Sequence, residues 1–91
     1  MSSQQVVGRY RGTLASPYMV MHPDQLEHWL QTARLGEVCC YWNGYLAWDR
    51  AYQAHAEKVA ALAYRGFEAG VCTLVQRKLE TARWLYFAVR I

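Results

Sequence analysis

Cysteine is too scarce in this chain, and too awkwardly spaced, to serve as a framework. The three thiols are Cys39, Cys40 and Cys72, and an odd set with two adjacent members suits neither a disulfide scaffold nor a zinc clip of the C-x-x-C kind. They read as small core or strand residues in a reducing compartment. Proline is nearly as rare, with 2 in 91 residues. Neither falls between Tyr45 and Ala69, so nothing in that stretch is barred from a helix. No apolar run approaches a membrane span and no signal-peptide core opens the sequence, which predicts a soluble, cytoplasmic protein with no membrane partner. A net charge of only +3 excludes the overwhelming positive field of a histone-like chain. Internal repeats and low-complexity tracts are missing too.

What the chain has in quantity is aromatic residues. Four Trp, seven Tyr and two Phe make 14% of one small domain, more ring area than a modest core encloses. Some rings are therefore expected at a surface or an interface. Eight of the ten basic residues are arginines. That choice favours planar, bidentate or stacked contacts, although an arginine-rich genome would produce the same bias.

Residues 1–22 read as a flexible or partly extended N-terminal arm, in which Val6 to Thr13 mixes β-formers with glycine and arginine. Gly8-Arg9-Tyr10-Arg11-Gly12 could grip phosphate or a single strand. It lacks the Walker pattern, and a mobile arm with two solubilising arginines explains it better. From Pro23 the pattern becomes helical. Pro23 suits the first turn, Asp24 and Glu27 favour the positive end of the helix dipole, and Gly36 can terminate the helix. Leu26, Trp29, Leu30 and Ala33 form its buried stripe.

Glu37 to Trp42 is a short strand, with Val38, Cys40 and Trp42 on one face and Cys39 and Tyr41 on the other. Asn43 or Gly44 then caps the next helical stretch. Between Tyr45 and Ala69 the apolar stripe weakens at Gln53, Ala54 and His55, which predicts a break into Tyr45 to Tyr52 and Ala56 to Ala69. Val59, Leu62, Ala63 and Phe67 are the expected core contacts of the second piece, and Gly70 ends it. Two β-rich runs close the chain. Val71 to Leu79 and Arg83 to Ile91 read as a hairpin, with Leu85, Phe87, Val89 and Ile91 on the core face and Trp84, Tyr86, Ala88 and Arg90 opposite. Arg77, Lys78 and Arg83 crowd its tip.

This order of helix, short strand, helix pair, strand, basic hairpin loop and strand resembles the winged-helix branch of the helix-turn-helix superfamily. The resemblance covers roughly Pro23 to Ile91 and is one of element order. The Gly-Tyr-Leu-Ala-Trp-Asp-Arg stretch, Gly44 to Arg50, looks like small phage or prophage-encoded proteins of that shape. The resemblance implies an α+β domain over residues 23–91, with helices on a small antiparallel sheet and a C-terminal β-hairpin wing. It also implies Ala56 to Ala69 in the recognition position, with the Val38 to Trp42 strand beside Trp84 to Val89. The departure lies on that helix: its open face offers His55, Glu57, Lys58, Ala61, Tyr64, Arg65 and Glu68, and so is thin in the donors and acceptors that read base edges.

His22, His28 and His55 are scattered, with no nucleophile or ligand spacing near them, so neither catalysis, metal nor cofactor is expected. Two functional readings follow. In the first, the protein is a non-enzymatic, phage-type DNA-binding regulator. Lys58 and Arg65 lie near a groove, and Arg77, Lys78 and Arg83 on phosphate add salt-sensitive affinity. In the alternative, the same scaffold binds or inhibits a host protein, or forms a homodimer, through arginine and the exposed aromatics Tyr41, Trp48, Tyr64, Trp84 and Tyr86. Trp48 is its leading anchor.

Overall fold

The computed structural model describes residues 21–91. The expected N-terminal arm therefore lies outside the described residues, except for its last two. Helix α1 is Pro23–Thr32, with Pro23 in its first turn. The Gln25 side-chain oxygen accepts a 2.8 Å hydrogen bond from the His22 N–H, one half of a capping box. Leu26 is fully buried, with Trp29 and Leu30 packed beside it. The helix stops at Thr32, short of Gly36. Gly36 instead takes φ +85° in the following turn, where its N–H donates to Arg90 O at 2.8 Å and ties the turn to the sheet.

Three strands, β1 (Val38–Gly44), β2 (Cys72–Glu80) and β3 (Arg83–Arg90), form an antiparallel sheet in the order β1-β3-β2. The last strand in sequence is thus the central one. Cross-strand rows follow from the register: Val38–Val89–Thr73 and Cys40–Phe87–Val75 on one face, Cys39–Ala88–Leu74 and Trp42–Tyr86–Gln76 on the other. A bulge between Cys40 and Trp42 inserts Tyr41 and re-aims the strand. As the central strand, β3 is buried on both faces, Tyr86 and Ala88 as well as Leu85 and Phe87. The expectation of one core face on β3 is corrected accordingly. Ile91, placed by alternation in the core, is exposed because it lies past the strand end.

Helices α2 (Leu46–Tyr52) and α3 (Ala54–Glu68) are separated by Gln53 alone, whose extended φ of −128° interrupts the helical path. The break is where the stripe weakens. The core face of α3, however, consists of Ala56, Val59, Ala60, Ala63 and Gly66, while Phe67 is exposed. Small residues are required because the helix lies close to its neighbours: a Cβ on Gly66 would come 2.8 Å from Leu30 Cδ2 and 3.2 Å from Cys72 Sγ. Gly70, at φ +75°, ends α3 in a Schellman arrangement, with Val71 N donating to Gly66 O at 2.9 Å and Gly70 N to Phe67 O at 3.1 Å.

The described chain is thus α+β, with three helices and a three-stranded antiparallel sheet. The helix-facing side of the sheet is fixed by specific contacts: Cys72 Sγ points to Ala63 O, and Trp42 and Tyr86 bond to the α2 region. Among the described residues no helix is long and apolar enough to cross a membrane.

Candidate binding surfaces

A seven-residue helix is too short to hold itself together, so α2 must be fixed by its surroundings. One carboxylate oxygen, Asp49 Oδ2, accepts hydrogen bonds from Trp42 Nε1 at 2.8 Å and from the Tyr45 N–H at 3.1 Å. It joins the helix to β1 and satisfies an amide at its own start. The Leu46 N–H donates to the Tyr86 hydroxyl at 3.0 Å, a second tie to the sheet. Arg50 makes a two-pronged contact to Glu57 on α3, at 2.7 and 3.3 Å. Hydrogen bonding within this pair holds the Glu57 carboxyl below its ordinary value and raises the Arg50 guanidinium. Leu46 is the one buried apolar residue of α2.

These ties leave one stripe of the helix open. Tyr45, Trp48 and Tyr52 follow at spacings of three and four, hence along one side. Trp48 is 60% exposed and Tyr52 70% exposed, their ring centroids 5.1 Å apart. A second exposed pair, Tyr64 and Phe67 on α3, has centroids 6.0 Å apart. Trp48 and Tyr64 are therefore where the sequence places them. Tyr86 and Tyr41 are not: both are buried. The Tyr86 hydroxyl is used in docking α2, and burial pushes the Tyr41 phenol well above its ordinary value. Trp84 is half-buried, with Lys78 Nζ 5.9 Å from its ring centroid. Tyr45, Tyr52 and Phe67 were missed as surface rings. The four-residue step from Trp48 to Tyr52 is the signal that could have found the second.

The basic residues do not assemble on one surface. Lys58 and Arg65 line an open groove of about 750 Å³ between α1 and α3, shared with Asp24, Glu27 and Glu57. Lys78 pairs across the ladder with Trp84 on the helix-facing side, whereas Arg77 pairs with Leu85 on the outer side. Arg83 is tethered beside the tip, its Nε 3.4 Å from Asn43 Oδ1 and its Nη1 3.8 Å from Glu80 Oε2. Between α2 and the hairpin an open cleft of about 590 Å³ is lined by Tyr45, Arg50, Gln76, Lys78, Trp84 and Tyr86 among others, with no carboxylate among the described residues of its wall.

Cys39, Cys40 and Cys72 are free and buried, and burial raises all three thiols, Cys40 to about 11. Such thiols are poor nucleophiles at neutral pH. Among the described residues no group of three or more His, Cys, Asp or Glu is arranged to hold a metal ion. Comparison with known proteins gives no match to a family model, to a curated protein or to a solved structure.

Proposed function

We propose that this chain is a non-enzymatic binding protein that docks on a protein partner through the aromatic stripe of α2. The observation that carries the reading is the contrast within that helix. Its backbone and polar side chains are fixed by Asp49, Tyr86 and Glu57, yet its two largest rings face solvent. A backbone fixed before contact leaves only side-chain freedom to be lost on binding, and Trp and Tyr dominate binding energy at interfaces. Substituting Trp48→Ala or Tyr52→Ala should reduce retention of the partner at least tenfold, while Tyr64→Ala leaves it within a factor of about three. Equal retention by wild type and Trp48→Ala would sink the reading.

A second reading, binding to DNA within a winged-helix arrangement, is favoured by the cleft beside the hairpin. Its described wall carries Lys78 and no carboxylate, although Arg50 in the same wall is already paired with Glu57, and the element order and β1-β3-β2 sheet support that arrangement. Against it stand the dispersed cations and the acidic residues beside Lys58 and Arg65. This reading expects duplex affinity that falls steeply with salt and is lost in a Lys78→Gln, Arg83→Gln double variant. Absence of duplex binding at low salt rules it out.

A further inference from the structure

Lys78 stands in the cleft between α2 and the hairpin, and no carboxylate of the chain answers its charge. Trp84 and Tyr86 of β3 make the floor of that cleft, with Tyr45 and Arg50 on one side and Gln76 and Lys78 on the other. The chain has seven acidic side chains, and all of them are engaged or placed elsewhere. Asp49 holds the start of α2, Glu57 pairs with Arg50, Glu80 faces Arg83 and Glu37 accepts the Arg34 N–H. Asp24 and Glu27 line the groove between α1 and α3, and Glu68 is exposed at the end of α3. Residues 1–20 contain neither Asp nor Glu. Arg50 is compensated by Glu57 at 2.7 Å, which leaves Lys78 as the uncompensated cation of the cleft. Its ammonium is also held in place: Nζ lies 5.9 Å from the Trp84 ring centroid, where the negative face of the ring attracts it. A π face offers no lone pair, so the three N–H donors stay available to an acceptor.

We infer that this cleft takes a carboxylate side chain of the protein that docks on α2, so that the partner's docking segment is acidic beside its apolar contact. The inference rests on the reading of α2 as the docking helix, because Tyr45 belongs both to the aromatic stripe and to the cleft wall. A segment crossing Trp48 and Tyr45 continues into the cleft, where the Trp84 ring packs on the methylenes of an Asp or Glu and Lys78 bonds its carboxylate. Charge complementarity of this kind sets which partner is accepted and speeds the encounter. A duplex suits the site less well, since phosphate binding needs several cations spaced along one surface. Here Arg77 lies on the opposite face of the sheet and Arg83 is tethered to Asn43 and Glu80. One positioned ammonium matches one carboxylate.

Selection of random peptides displayed on phage against the purified full chain tests this, followed by titration with a synthetic peptide of the recovered consensus. The consensus should carry Asp or Glu next to an aromatic or aliphatic residue. The peptide should bind Lys78→Gln at least fivefold more weakly than wild type, and Trp48→Ala more weakly as well. Selection against Lys78→Glu should recover Lys or Arg at the position of the acid, a result that also shows the variant to be folded. Recovery of no acidic consensus overturns the inference. A loss of affinity in Trp48→Ala but not in Lys78→Gln overturns it alone and leaves the reading of α2 standing. The converse pattern, loss in Lys78→Gln but not in Trp48→Ala, overturns the reading of α2 and with it the shared docking segment. Tighter binding of a DNA duplex than of the peptide at equal salt, lost in Lys78→Gln, assigns the cleft to phosphate and overturns the inference.

Discussion

Ala82 is the one non-glycine residue among those described that adopts a positive φ, +58°, at the hairpin turn. An L-residue is strained there by about 1–2 kcal/mol, while glycine loses about 0.5–1 kcal/mol more backbone entropy on folding. Ala82→Gly should therefore stabilise the fold by about 0.5–1 kcal/mol, measured as a higher urea midpoint at unchanged slope. Gly44 behaves in the opposite way. Its φ is +151°, and a Cβ there would meet Asp49 Oδ2 at 2.5 Å and Trp42 Nε1 at 3.1 Å. Gly44→Ala should cost at least about 2 kcal/mol, since it combines backbone strain with disruption of the carboxylate that docks α2. A urea midpoint within error of wild type would show that Asp49 can move aside. Individual residues also show where the sequence could be read. Pro23 and Gly70 have local roles and were legible, whereas Tyr86 is used by a partner forty positions away, which alternation within one strand cannot reveal.

The elements follow the same division. The gap between α2 and α3 was visible because a missing stripe is a local property. The core of α3 was not, because reading by hydrophobic size selects Phe67, while close approach to Cys72 and Leu30 selects Ala63 and Gly66. Strand β3 runs Trp-Leu-Tyr-Phe-Ala-Val from Trp84 to Val89, an almost unbroken apolar run that suits a central strand as well as a one-faced hairpin arm. Position in the sheet decides between them, and that position depends on β1. The surface assignments fared less evenly, since a wing tip read as one cationic cluster is divided by the pleat between two faces. At this scale the docking of α2 is testable through Tyr86→Phe, which removes the acceptor of the buried Leu46 N–H bond. The variant should lose about 1–3 kcal/mol, with faster amide exchange concentrated in α2 rather than α3. Uniform acceleration across the protein would argue against a specific tie.

Across the whole molecule, the buried thiols make stability depend on alkaline pH. Burial raises all three in the folded state, Cys40 to about 11, whereas in the unfolded chain they ionise near about 8.5. The unfolded state then holds fewer protons than the folded one, so the thiol contribution is fully present below about pH 8.5 and is lost as pH rises through the folded values. Urea midpoints should fall between pH 8.5 and 11, and a triple Cys→Ala variant should fall less steeply. The salt-bridged Glu57 acts at the other end: its lowered carboxyl contributes above the ordinary carboxylate range and is lost as the medium becomes acidic. For the protein as a whole the proposed binding surface is the α2 stripe. Hydroxyl-radical footprinting of the purified full chain, and of the same chain with the partner captured from extract of its source cells, tests this most directly. Trp48 and Tyr52 should oxidise rapidly in the free chain and be protected at least fivefold in the complex, with Tyr64 unchanged. Protection of Tyr64 or of Trp84 in the cleft, with Trp48 and Tyr52 still oxidised at the free rate, would contradict it.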